Sequence, residues 1–294
     1  TAKAADAIRS AGLAGRRVGL VGASNMTAAA YLGLVAELPD TTFVRADDLV
    51  ERLRLHKSPS EVAVLRRAIA LGSAAVTSAF DAVVPGATEG DAAAAAAAVI
   101  ARGGGAFYDT ACASGPWAHG FTWARMPSWD AARRFEPGDM FHMDSYGALG
   151  GYFWDFGRTR VAGDEPTDAQ RALLETAIEV VKTVCAAIRP GRSAAEVYRE
   201  GERVMAASPV LAAIPKEAGE TEGFPAVGHG IGLGWEKPWL TPTDETVLEP
   251  GMAIAVEVLF GHPSIGGGFF EENGIVIEAG FEVLSTTPTR WWAA

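Results

Sequence analysis

One pattern of capped helices, proline-glycine stops and acid-bearing strands is written twice in this chain, and it limits the possible folds more than any other feature. Ser58-Pro59-Ser60-Glu61 is a capping box with proline at the first helical position, opening a helix expected to run to about Val84. Pro85-Gly86 stops it. Thr88-Glu89-Gly90-Asp91 then caps an alanine-rich helix that Gly103-Gly104-Gly105 ends. In the second copy Thr167-Asp168-Ala169-Gln170 opens a helix to about Ile188, Pro190-Gly191 stops it, and Ser193-Ala194-Ala195-Glu196 caps the next. Each copy continues through Glu-Pro-Gly, at 136–138 and 249–251, into an apolar strand. An acid, Asp144 or Glu257, stands eight residues after the glutamate. Recurrence in that order implies two structurally similar halves. Each places two helices against antiparallel strands, an α+β layout.

Residues 1–57 read differently, as a small α/β piece with a strand near 17–22, a helix from about 26 to 38 and a strand at 41–45. Gly19 and Gly22 fall short of a dinucleotide fingerprint and read as a strand-to-helix turn. The first residue is Thr1 rather than Met, so the chain is expected to be a fragment of a longer product. With 25 basic and 36 acidic residues the net charge is −11, and a basic nucleic-acid footprint is absent. Cys112 and Cys185 are too few for a disulfide framework, which points to a reducing cytoplasm. No run of about 18 purely apolar residues suggests a membrane span.

The acids carry the chemistry. Between Asp144 and Asp155, aromatic residues flank a Leu149-Gly150 centre, a hairpin signal that sets the two aspartates opposite each other on one face. A second hairpin centred on Ser264 sets Glu257 opposite Glu271. Glu257 interrupts Ala253-Ile254-Ala255-Val256, whose neighbours favour burial. Between the hairpins, His229 lies in a glycine-rich loop, Gly228-His229-Gly230-Ile231-Gly232, able to bend closely around an ion. Four clustered carboxylates carry −4 and repel unless neutralised, and two divalent ions supply +4. Oxygen-rich ligation with one imidazole suits Mn²⁺, Fe²⁺, Co²⁺ or Zn²⁺. Two such ions can lower the pKa of a shared water to near neutrality.

These residues resemble the pita-bread metallopeptidase family (M24), which includes methionine aminopeptidases, aminopeptidase P, prolidases and creatinase-like members. The family's ligand order of Asp, Asp, His, Glu, Glu reads here as Asp144, Asp155, His229, Glu257 and Glu271. Spacing to Gly280, nine residues on, picks Glu271 over Glu272. The resemblance covers about 58–294 and implies a catalytic pita-bread domain with pseudo-twofold halves. Residues 1–57 resemble part of a creatinase-type N-terminal domain. It implies that Asp155 and Glu271 bridge the ions, that Asp144 holds one, and that His229 and Glu257 hold the other. Glu257 would also relay the proton of the attacking water. The implied activity is hydrolysis of a peptide or small amide, most simply as an Xaa-Pro dipeptidase or aminopeptidase, by a homodimer. Lyase-like or small-molecule amidohydrolase chemistry is an alternative, and a binding module without activity a further one.

The chain departs from the prolidase pattern in places. Glu236 stands where those members carry a second histidine, with Lys237 as its expected neutralising neighbour. His119 is a candidate for a further active-site histidine. His142, two residues before Asp144, shares its strand face. Val258 replaces the usual proline after the fourth ligand. Trp117, Trp123, Trp129, Trp154, Trp235 and Trp239 crowd the same segments, and several are expected to line a substrate pocket. Trp291 and Trp292 read as packing or interface residues.

Overall fold

A computed structural model of the chain describes residues 1–121, 126–163, 165–214 and 226–290. Trp123, Trp291 and Trp292 lie outside these residues. The chain divides into two units, Thr1–Arg54 and Leu55–Ala294. In the first, α1 (Ala2–Ser10) precedes β1 (Arg17–Leu20). Then come α2 (Ala28–Glu37), β2 (Thr42–Arg45) and α3 (Asp47–Leu55). The two strands pair in parallel, as a strand–helix–strand crossover requires. Gly22 adopts a left-handed conformation at the turn after β1 and donates its N–H to Asp47, so this turn is filled by the chain itself.

The second unit carries both halves of the repeat. The first half is α4 (Pro59–Asp81), α5 (Glu89–Arg102) and an antiparallel sheet of β3 (Ala106–Ser114), β4 (Met140–Leu149) and β5 (Tyr152–Val161). The second half is α6 (Asp168–Ala187), α7 (Ala194–Ala207), a short α8 (Pro209–Ala213) and five strands. These are β6 (Gly228–Ile231), β7 (Trp235–Trp239), β8 (Ala253–His262), β9 (Gly266–Ile277) and β10 (Gly280–Val283), in the order β10-β9-β8-β6-β7. All four capping boxes form, each with its reciprocal pair of side-chain bonds. α4 ends at Asp81, a few residues before Val84, because the Ala82 and Val83 amides turn back in tighter bonds ahead of Pro85-Gly86.

Helix α4 is long and apolar enough to cross a membrane by composition, but its apolar face is core. Leu65, Ile69, Val76 and Phe80 pack with Ile100, Phe141, Trp154 and Phe156. The alanines of α5 serve that packing, with Ala92, Ala93 and Ala96 buried. In the other half Ile178, Val181 and Val184 of α6 lie with Ile254, Val256 and Phe270.

The first hairpin slips by two residues from its sequence reading. Gly150 and Gly151 both take positive φ and form a two-residue turn, the geometry that matches strand twist. Leu149 therefore pairs with Tyr152, Asp144 with Gly157, and Asp155 with Tyr146. Asp144 and Asp155 are diagonal neighbours rather than directly opposed. A slip of two preserves the face, so both still point to the same side. The second hairpin has the expected register, with Glu257 opposite Glu271 about a turn centred on Ser264.

Candidate metal centre

The centre lies where the inner faces of the two hairpins meet. β4 supplies Asp144, β5 Asp155, β8 Glu257 and β9 Glu271, all but Glu257 gathered so that one oxygen from each lies within 4.8 Å of the others. His229 joins from β6, its Nε2 at 3.3 Å from both Asp155 Oδ2 and Glu257 Oε1. All five side chains are buried. His229 stands on a strand rather than a loop, because the glycines flanking it allow close pairing. A Cβ at Gly230 would come to 2.1 Å from the Lys237 carbonyl oxygen.

The electrostatics are those of a site short of positive charge. Burial pushes the Glu271 carboxyl well above its ordinary range, and Asp155, Glu257 and Asp144 add to the effect. Burial also raises Glu257, against the pull of His229. His229 moves the other way. Burial disfavours its cation, but the bonds to Asp155 and Glu257 outweigh this and raise its pKa to about 10.

Whether metal fits is decided by the unused donors. Asp155 Oδ1, Glu257 Oε2 and Glu271 Oε2 are buried without a hydrogen-bond partner. Buried polar atoms are normally satisfied, so orphaned oxygens on two of the three gathered carboxylates, Asp155 and Glu271, with a third on nearby Glu257, mark a place for a cation. His229 Nδ1 donates to the Gly230 carbonyl at 3.1 Å, which fixes the tautomer and turns Nε2 toward the carboxylates. An oxygen-rich set with one imidazole fits a divalent ion.

The remaining candidates are placed less centrally. His119 Nδ1 donates to the Pro116 carbonyl at 2.8 Å, in the loop after β3, rather than to any of the carboxylates. Glu236 accepts from Lys57 Nζ at 2.5 Å in a buried ion pair. Lys57 lies 179 positions from Glu236, so no local pattern selects it, whereas the neighbouring Lys237 is exposed. The Glu236 side chain leaves β7 on the face opposite Trp235, away from Asp155. His142 is fully buried, with the Phe121 and Phe269 rings each centred 6.1 Å away, and burial holds it neutral with a pKa of about 4. Among the tryptophans, Trp235 donates its indole N–H to Asp155 Oδ2 and Trp239 lies 5.3 Å from His229. Trp154 is a core residue packed on Gly72 and Gly147, because it points to the side of β5 opposite Asp155. Trp129 packs on Phe107, and Trp117 is exposed.

Sequence reasoning missed Asn273. It is fully buried, and its amide donates to the Asp155 carbonyl and, at 3.2 Å, to Glu271 Oε1 while accepting from the Asp155 amide at 3.3 Å. The signal was there, since i and i+2 from Glu271 share a face. Also missed was the role of Arg158, which pairs with Glu272 at 2.9 Å on the far side of the sheet.

A pita-bread fold with buried carboxylates and an imidazole at the meeting of its two hairpins defines a metal-dependent peptidase. The chain belongs to metallopeptidase family M24, whose model matches residues 63–283. It is 29% identical to an Xaa-Pro dipeptidase of Pyrococcus furiosus over 252 residues, 83% of this chain and 67% of the relative. It is 32% identical to the probable dipeptidase PepE of Mycobacterium tuberculosis over 255 residues, 83% of this chain and 62% of that protein. The chain thus spans about two thirds of the length of these curated relatives. The solved Xaa-Pro dipeptidase from Bacillus anthracis superposes with a TM-score of 0.81 at 27% identity, covering 97% of this chain and 76% of that one. Prolidase from Pyrococcus furiosus gives 0.80 at 25%, covering 92% and 76%.

Proposed function

We propose that this chain is a dinuclear metallopeptidase that cleaves short peptides, with Xaa-Pro dipeptides as the first class to test. Asp144, Asp155, His229, Glu257 and Glu271 would hold two divalent ions from the set Mn²⁺, Co²⁺, Zn²⁺ and Fe²⁺. The observation that carries this reading is the gathering of the buried Asp144, Asp155 and Glu271 carboxylates, with oxygens of Asp155 and Glu271 left without a hydrogen bond. Four carboxylates facing one imidazole leave a charge deficit that two divalent ions match. When bound, such ions supply positive charge that makes water more acidic and polarises a substrate carbonyl.

The chain's own residues have separable tasks. Asp155 and Glu271 sit centrally, tied to each other through Asn273, which fixes their spacing. Glu257 Oε1 is engaged by His229, whereas Oε2 is free of hydrogen bonds and its carboxyl pKa is raised. That oxygen is the group suited to take a proton from water and return it to the leaving amine. Burial of all five side chains excludes bulk water from their far sides and strengthens each interaction. The names of the relatives support the dipeptide class, and the fold and site support the metal chemistry.

The test is turnover of a dipeptide panel, with and without proline at the second position, after loading with Mn²⁺, Co²⁺ or Zn²⁺, alongside elemental analysis. Two ions per chain and metal-dependent cleavage are expected. Failure to retain any of the ions, or full activity in chelator, would overturn the reading.

A further inference from the structure

We infer that Trp235 is a positioning residue for Asp155, anchored from behind by the Lys57–Glu236 pair, and that with Tyr108 it walls the subsite for an apolar substrate side chain. The inference rests on the peptidase reading above and adds residues to it. Strand β7 has two working faces. On one, the Trp235 indole N–H donates to Asp155 Oδ2. On the other, Glu236 is buried against Lys57, whose own backbone N–H is bonded to the Gly251 carbonyl. Because successive residues alternate sides, gripping Glu236 from below holds the Trp235 ring above. The Asp155 carboxylate is thereby divided. Oδ2 takes the indole N–H and faces His229, and Oδ1 is left without a hydrogen bond. A neighbour of this kind orients a ligating carboxylate and sets its basicity.

The same indole is 47% exposed, and beside it the Tyr108 ring is 63% exposed. Their planes stand at 80° with centroids 6.4 Å apart, and Tyr146 and Phe153 support them from within. The exposed parts of Trp235 and Tyr108, set edge to face, present apolar aromatic surface next to Asp155, suited to contact with an apolar side chain.

Two substitutions separate the two tasks. Trp235→Phe keeps a ring and removes the N–H. Metal affinity, measured by calorimetry on the refilled protein without substrate, should fall about 10- to 100-fold, as is usual on losing such a partner. Tyr108→Ala should leave metal affinity unchanged and raise KM about ten-fold for dipeptides with large apolar side chains, with little change for glycine-containing ones. Lys57→Met in the Trp235→Phe background should add little further loss of metal affinity, since both act through one contact. Lys57→Arg, which keeps the charge, should retain most of it. Circular dichroism checks that each variant is folded. Unchanged metal affinity in folded Trp235→Phe, or equal loss in Tyr108→Ala, would overturn the inference even if the wild type cleaves dipeptides. Trp235-dependent metal affinity in a protein that cleaves no peptide would instead uphold the positioning role and sink the substrate reading.

Discussion

Glu271 and Glu272 are adjacent in sequence yet leave opposite faces of β9, and replacing each by glutamine should act in different directions. Glu272 Oε1 accepts from Arg158 at 2.9 Å. The guanidinium is 1% exposed and lies 4.5 Å from the Phe156 ring and 4.0 Å from that of Phe270. Burial already works against the arginine's charge, and Glu272 is its main compensation. Removing one partner of a buried pair costs ~3–5 kcal/mol. Glutamine keeps an acceptor, and the carbonyls of Glu271, Gly157 and Pro288 still bind the guanidinium. The expected loss for Glu272→Gln is therefore at the low end, ~3 kcal/mol. Glu271 without metal has its carboxyl pushed well up by burial and by its acidic neighbours. A raised carboxyl favours the folded state below its unfolded pKa and loses that contribution as pH rises, so metal-free wild type should weaken relative to Glu271→Gln from about pH 4.5 upward. At about pH 4 and below, where the carboxyl is largely protonated in both folded and unfolded states, the two should differ least. Metal then reverses the ranking. At a hundredfold excess over Kd, binding adds ~2.7 kcal/mol to the folded state. Wild type and Glu272→Gln should both gain this increment, and Glu271→Gln should not. Urea unfolding of the three proteins with and without Mn²⁺ measures both effects. A metal increment kept by Glu271→Gln and lost by Glu272→Gln would refute the assignment of faces.

Further outcomes are expected at three places in the fold. The Tyr152 hydroxyl donates to Glu61 at 2.7 Å, lowering the glutamate's pKa and raising its own to about 12. The stability gap between wild type and Tyr152→Phe should be flat from pH 6 to 9. It should close as pH falls through the depressed Glu61 value, and again as pH rises from about 10 to 12; melting curves across pH measure it. Lys57→Met should cost ~3–5 kcal/mol by stranding Glu236, while Lys57→Met with Glu236→Leu recovers a large part in a double-mutant cycle. Glu236→His should accordingly lower stability rather than redirect substrate choice, read from denaturation and a dipeptide panel. Asn273→Ala removes the link between Asp155 and Glu271. A loss of ~1–3 kcal/mol in stability is expected, together with weaker metal binding by calorimetry.

What the sequence determined by itself was local or periodic. Each capping box is closed by residues three apart, so Ser58, Thr88, Thr167 and Ser193 mark their helices whatever the rest of the chain does. The period of two in a strand made Glu271 and Glu272 face apart, and repetition of the whole pattern announced two halves. The gathering of Asp144, Asp155, His229, Glu257 and Glu271 was legible for that reason, and so was the family. The tertiary structure decided what depends on partners distant in the chain or on turn conformation. Leu149-Gly150 and Gly150-Gly151 are both acceptable turn centres, and only the positive φ of both glycines selects the second and moves Asp155 from opposite Asp144 to opposite Tyr146. Lys57 reaches Glu236 across 179 positions, a pairing for which no spacing rule exists. Trp154 and Trp235 look alike in sequence, yet one fills the core and the other holds a carboxylate. The choice lies in which face of its strand meets a helix and which meets the opposing hairpin, and that is settled by packing.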